Sequence, residues 1–220
     1  MKIFFLIAFT SLWSLTTYAA EEEFSDAGIA EPVDKNTSGL FLDANLEFGQ
    51  ALAVGGSTPK SAWFLSAGPG YGIAKGTWSR LEVSLSLGSG YLAFKRTGGQ
   101  KESVEMPIDL FALARLGYGY SLGSHVFAVW RIGFGPAMGK YKQKISGFSF
   151  TSPDTTTGFM GTAGMDIVMP AGDLLDFIGG IQFRYMSFAV DDFQVGGETV
   201  EVDAFQANVP TFNVGLRVKF

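Results

Sequence analysis

From residue 39 onward, apolar and polar residues alternate with a period of two. That spacing sends successive side chains to opposite faces of a strand. In 39–49, Leu40, Leu42, Ala44, Leu46 and Phe48 share one face, and Asp43, Asn45 and Glu47 share the other. In 63–73, Trp63, Leu65, Ala67, Pro69, Tyr71 and Ile73 oppose Phe64, Ser66, Gly68, Gly70 and Gly72. Runs at 79–92, 106–120, 126–138, 159–169, 177–188 and 210–220 repeat the pattern. In the run at 106–120, Ile108, Leu110, Ala112, Ala114 and Leu116 oppose Asp109, Phe111, Leu113, Arg115 and Gly117. The eight runs are about 10–14 residues long, and a tilted strand needs roughly 9–11 to cross a bilayer. Short links at 74–78, 121–125 and 170–176 alternate with long ones at 50–62, 93–105, 139–158 and 189–207. This rhythm predicts an all-β fold: an eight-stranded antiparallel up-and-down transmembrane β-barrel with short periplasmic turns and longer external loops.

A soluble barrel of the lipocalin kind has the same alternation with its faces inverted. Residue size separates the two. The polar face is rich in Gly and Ser, which a narrow interior filled by side chains needs and a water-facing wall does not. The apolar face carries no Lys, Arg, Asp or Glu in any run, as lipid contact requires. Tyr71, Trp78, Tyr91, Tyr118, Tyr120 and Tyr185 fall near the expected interfaces. Pairing the fourth and fifth runs about a turn at 121–124 sets Leu113 opposite Gly133, Phe111 opposite Gly135 and Arg115 opposite Arg131.

Composition supports a membrane solvent. Charged residues are 17% of the chain, against about a quarter in ordinary soluble domains. The net charge of −5 comes with no basic stripe, so no nucleic-acid partner is expected. With no Cys, disulfides and thiolate metal sites are excluded. Residues 1–19 combine Lys2, an apolar stretch from Ile3 to Leu15 and the small residues Thr17 and Ala19, and read as a signal peptide. Residues 20–38 are acidic and aperiodic, and read as a flexible periplasmic tail before a barrel at 39–220.

The candidate chemistry lies on the inward face. Asp43, Glu47, Glu82, Asp109 and Asp166 oppose Arg80, Arg115, Arg131, Arg184, Arg217 and Lys219, a nearly balanced set. Buried charges persist only when paired and hydrogen-bonded. The set reads either as a structural charge network filling the lumen or as a polar solute path. Asp43 and Arg217 are expected to be neighbours where the first and last strands meet. His125, the only histidine, falls in a short turn without an evident partner for general-base work. Asp191, Asp192, Glu198, Glu201 and Asp203 read as a solvated acidic run, with a divalent cation as the alternative. Gly68-Pro69-Gly70 lacks phosphate-loop spacing. No cofactor, metal or catalytic residue is expected.

The signal peptide, the eight alternating runs and the terminus Phe212-x-Val214-x-Leu216-x-Val218-x-Phe220 resemble the small outer-membrane barrels of the OmpA, OmpX and OmpW kind. The resemblance implies the outer membrane of a Gram-negative bacterium and contact with outer-membrane lipids and lipopolysaccharide. It also implies that Phe212, Val214, Leu216, Val218 and Phe220 form a signal read by the barrel-assembly machinery. With no peptidoglycan-binding domain expected after the barrel, the OmpX or OmpW kind is favoured. Such barrels host many activities. Three readings stay open: a non-enzymatic structural or surface-interaction barrel, a narrow channel for small or hydrophobic solutes, and a lipid-modifying enzyme.

Overall fold

The computed structural model describes residues 38–53, 57–75, 78–96, 102–123, 126–145, 148–151, 155–189, 193–195, 198–200 and 204–220. The signal peptide, nearly all of the acidic tail and His125 lie outside the described residues. So do the side chains of the acidic run between Asp191 and Asp203. Among the described residues the strands are β1 (Gly39–Ala53), β2 (Ser57–Ala74), β3 (Ser79–Arg96), β4 (Glu102–Gly123), β5 (Val126–Gly139), β6 (Lys142–Ile145), β7 (Phe148–Thr151), β8 (Thr156–Pro170), β9 (Leu175–Phe188), β10 (Phe193–Val195), β11 (Glu198–Val200) and β12 (Phe205–Lys219).

Strands β1, β2, β3, β4, β5, β8, β9 and β12 pair antiparallel in that order, and β12 closes on β1. The barrel is therefore up-and-down with eight strands and no free edge within the closed ring. Its outer wall is apolar: Leu65, Val83, Leu116, Ile132, Phe134, Ile181 and Phe212 are all exposed. Tyr71, Trp78, Tyr118 and Tyr120 are exposed near the short-link end, whereas Tyr91 and Tyr185 are half-buried near the other. The short links and the two described ends of the chain share the periplasmic side.

Two links are shorter than the sequence pattern suggests. The stretches 50–62 and 93–105 are largely strand, because β1 runs to Ala53, β2 starts at Ser57, β3 runs to Arg96 and β4 starts at Glu102. Beyond the hydrocarbon the outward face has no need to be apolar, so alternation fades while the backbone ladder continues. The links at 139–158 and 189–207 carry the paired strands β6–β7 and β10–β11.

The register of β4 and β5 differs from expectation. Arg115 pairs with Gly133, Gly117 with Arg131 and Gly119 with Val129. This is a shift of two residues from the pairing of Leu113 with Gly133. Strand β4 continues to Gly123 before turning, and the ladder has an irregularity between Ser121 and Gly123. Gly123 has φ of +149°, a conformation that side-chain-bearing residues rarely adopt. A one-residue slip would turn every side chain to the other face, but a two-residue slip preserves the faces. Periodicity is blind to it. The correction also removes the expected Arg115–Arg131 confrontation, since each arginine lies opposite a glycine.

A second correction concerns Asp109. Strand β4 has an extra residue there: Ile108 pairs with Gly139 while Leu110 pairs with Met138, and the β3 ladder shifts at the same level. Such a bulge inverts the alternation beyond it. Asp109 is exposed outside the lumen, and Ile108, Met106 and Val104 turn inward and are buried.

Candidate functional site

The lumen has three layers. Near the periplasmic end Phe127, Val129, Val168 and Ile178 pack together. The middle holds the charges. The outer half is an apolar plug that includes Phe64, Leu92, Phe94, Met106, Ile108, Phe111, Leu113, Met160, Met186, Phe188 and Phe205. Within it Phe94 stacks on Phe205 at 5.4 Å, and Phe64 meets Phe111 edge-on at 6.3 Å.

Alternation turns the charged side chains inward from β1, β3, β4, β5, β8, β9 and β12, and glycines make room for bulky neighbours. A Cβ on Gly133 would fall 2.7 Å from Arg115 Cγ, and one on Gly70 would fall 2.3 Å from the Phe41 ring. The charges divide into two groups. In the first, Arg217 donates from Nε to Asp43 Oδ1 at 2.7 Å and from Nη2 to Asp43 Oδ2 at 3.0 Å. It also donates from Nη1 to Glu82 Oε1 at 2.7 Å, and lies 3.8 Å over the Phe41 ring. Arg131 donates from Nη2 to Glu82 Oε2 at 2.8 Å and from Nη1 to Asp166. Asp166 accepts from Asn213 Nδ2 at 2.8 Å. Arg80 Nη2 lies 2.6 Å from Glu82 Oε1, and its guanidinium stacks 4.8 Å over Phe127.

The second group centres on Glu47. It accepts from Arg184 Nε at 2.7 Å, from Arg184 Nη2, and from Thr211 Oγ1 at 3.1 Å. Arg184 lies over the rings of Phe64 at 4.6 Å and Phe111 at 5.1 Å, so it joins the charged layer to the plug. Arg115 is buried, and its Nη2 is 3.9 Å from Glu47 Oε1. Its Nε and Nη2 make no hydrogen bond among the described residues. Lys219 is partly exposed at the periplasmic rim, 2.7 Å from Asp176 Oδ1. A cleft of about 60 Å³ opens there, lined in part by Arg80, Glu82, Arg217 and Lys219.

The structure thus gathers Asp43, Glu47, Arg80, Glu82, Arg115, Arg131, Asp166, Arg184 and Arg217 in one lumen, with Lys219 at its mouth. Asp109 is absent from it. Asp176 takes the fifth acidic place; it lies one residue before the predicted run at 177–188, at the same parity as Gln182 and Arg184. That parity was the available signal. Phe64, Phe111 and Leu113 of the plug stand on the inward face of the sequence pattern, whereas Phe94, Phe205 and Val209 lie on strand extensions beyond it, and Met106 and Ile108 on the segment that the Asp109 bulge inverts.

A closed, eight-stranded barrel with an apolar wall and a charged, side-chain-filled interior is built for a bilayer. The model of the outer membrane protein beta-barrel domain family matches residues 5–220. The chain belongs to that family. It is an outer-membrane protein. Among solved structures it is similar to Neisserial surface protein A, at 16% identity and a TM-score of 0.44, covering 84% of this chain and 99% of that one. It is also similar to Ail of Yersinia pestis, at 12% identity and a TM-score of 0.44, covering 83% and 99%. A third is OprG of Pseudomonas aeruginosa, at 12% identity and a TM-score of 0.32, covering 83% and 96%. No curated protein matches the sequence.

Proposed function

We propose that this outer-membrane barrel is non-enzymatic and acts through its external surface, with a lumen that serves as packing. One observation carries the reading: each lumenal carboxylate is held by a cation, below an apolar plug that fills the outer half. A solute path needs mobile, hydrated charges. A hydrolytic site needs a free base beside a nucleophile. Carboxylates clamped by guanidinium groups serve neither purpose well. The inward charges act as a cross-linking network between β1, β3, β5, β8, β9 and β12.

The exposed outward row Phe212, Val214, Leu216, Val218 and Phe220 supports a role as the signal read by the barrel-assembly machinery. Lipids and lipopolysaccharide are its surroundings in this reading. The test uses the purified barrel in proteoliposomes. Small polar and aromatic solutes are expected to enter no faster than in protein-free vesicles, and labelled lipid A is expected to be recovered intact. Uptake would favour the narrow channel; altered lipid A would favour an enzyme.

A further inference from the structure

The outward stripe of β5 reads Trp130, Ile132, Phe134, Pro136 and Met138, all exposed and apolar. The alternation then continues without a break as Lys140, Lys142 and Lys144. Lys140 and Lys144 are exposed and Lys142 is half-buried, while the intervening Tyr141 and Gln143 are buried and hydrogen-bonded to each other at 3.0 Å. The lysines therefore point outward. Their backbone is fixed against β4: Lys140 N donates to Pro107 O at 3.0 Å, Lys142 pairs with Glu105 and Lys144 with Ser103.

The change from apolar to basic falls at a definite height. Ala128 to Met138 spans roughly 34 Å along a strand at about 3.4 Å per residue. Tilted by about 35–45°, that is close to the ~25 Å apolar band of an outer-membrane barrel. The hydrocarbon ends at Met138, and the lysines begin where the outer-leaflet headgroups lie. Tyr91 and Trp63, paired with one another, mark the same interface, with Tyr91 also paired to Pro107. Lys95 joins the stripe from β3, because Lys95, Ser103 and Lys144 form one cross-strand row. Two strand spacings, about 10 Å, separate Lys95 from Lys144. Glu105 and Asp109 are the exposed acids among the neighbouring described residues, against four lysines.

We propose that Lys95, Lys140, Lys142 and Lys144 form a phosphate-binding stripe for the phosphorylated glycolipid of the outer leaflet. Membrane height decides the ligand. These ammonium groups project from the barrel wall above the acyl chains, at the level where a lipid-borne phosphate is presented and a soluble anion gains no help from the apolar stripe below. Each lysine near an anionic surface contributes about a factor of five in affinity, so three together contribute on the order of a hundredfold.

The test is binding of the full barrel in detergent to diphosphoryl lipid A, dephosphorylated lipid A, inorganic phosphate and heparin, measured by native mass spectrometry and titration. The wild type is expected to prefer diphosphoryl over dephosphorylated lipid A by at least about tenfold, and to bind inorganic phosphate negligibly. The K140Q/K142Q/K144Q variant is expected to lose that preference, and K140R/K142R/K144R to keep it. Lys75→Gln, at the periplasmic end, is expected to leave it unchanged. Heat-modifiable gel mobility confirms that each variant is folded; should the triple glutamine variant fail, K144Q and K95Q singly are expected to weaken the preference severalfold. Equal preference in all variants, or tight binding of free phosphate, would overturn the proposal. So would loss of heparin binding with lipid A binding intact, which would make the stripe a polysaccharide surface.

Discussion

Glu82 is the carboxylate on which the first charge group depends. Glu82→Gln preserves its shape and removes its charge. Its two oxygens take hydrogen bonds from both terminal nitrogens of Arg217 and from Arg131, with Arg80 2.6 Å away. All four side chains are buried or nearly so. The substitution leaves three guanidinium groups facing a neutral amide. Removing one partner of a buried pair costs roughly 3–5 kcal/mol, because the remaining charge stays desolvated. Arg217 keeps Asp43 and Arg131 keeps Asp166, so about 3 kcal/mol is the expected loss. With a urea slope of about 2 kcal/mol/M, the unfolding midpoint in lipid vesicles falls by roughly 1.5 M. Adding Arg80→Gln removes the least-bonded of the three cations and is expected to restore part of the loss, giving a favourable coupling in a double-mutant cycle. A midpoint shift under about 0.3 M for Glu82→Gln would instead mean that water or lumen flexibility already screens the cluster and that Glu82 does not hold it together.

Other outcomes follow from the same geometry. Asp43→Asn, which leaves Arg217 its Glu82 contacts, is expected to lower stability by about 2 kcal/mol in the same urea assay. Asp109→Asn is expected to stay within about 0.5 kcal/mol of wild type, since the side chain is exposed outside the lumen. Asp176→Asn, which strips Lys219 of its 2.7 Å partner, is expected to destabilise more than Asp109→Asn does. Gly135→Ala places a Cβ 1.8 Å from the Ala112 carbonyl oxygen, so the folded band on a heat-modifiability gel is expected to diminish sharply.

The strand count, the antiparallel order and the two faces were legible in the sequence because lipid enforces a strict alternation on the outer wall. Leu40 to Phe48 and Phe212 to Phe220 alternate as the pattern requires. What escaped has physical causes. The β4–β5 register slipped by two residues, a change that leaves every face as it was. The bulge at Asp109 reversed the inside and outside of 104–108, and one inserted residue carries no signature in a single chain. Beyond the hydrocarbon, selection for an apolar wall lapses, so the extensions that carry Phe94, Phe205 and Val209 into the plug read as loops. The charged lumen was readable as a set of residues, whereas its division around Glu82 and Glu47 depended on three-dimensional closure.

Packed side chains fill the lumen, and a lumen filled in this way conducts no ions. Planar-bilayer recording of the purified barrel tests it most directly. The wild type is expected to show no stepwise conductance, and a variant thinning the plug at Phe64, Phe111 and Met160 to alanine is expected to open small, ion-conducting steps. Regular conductance steps from the wild type, unchanged by thinning the plug, would contradict it.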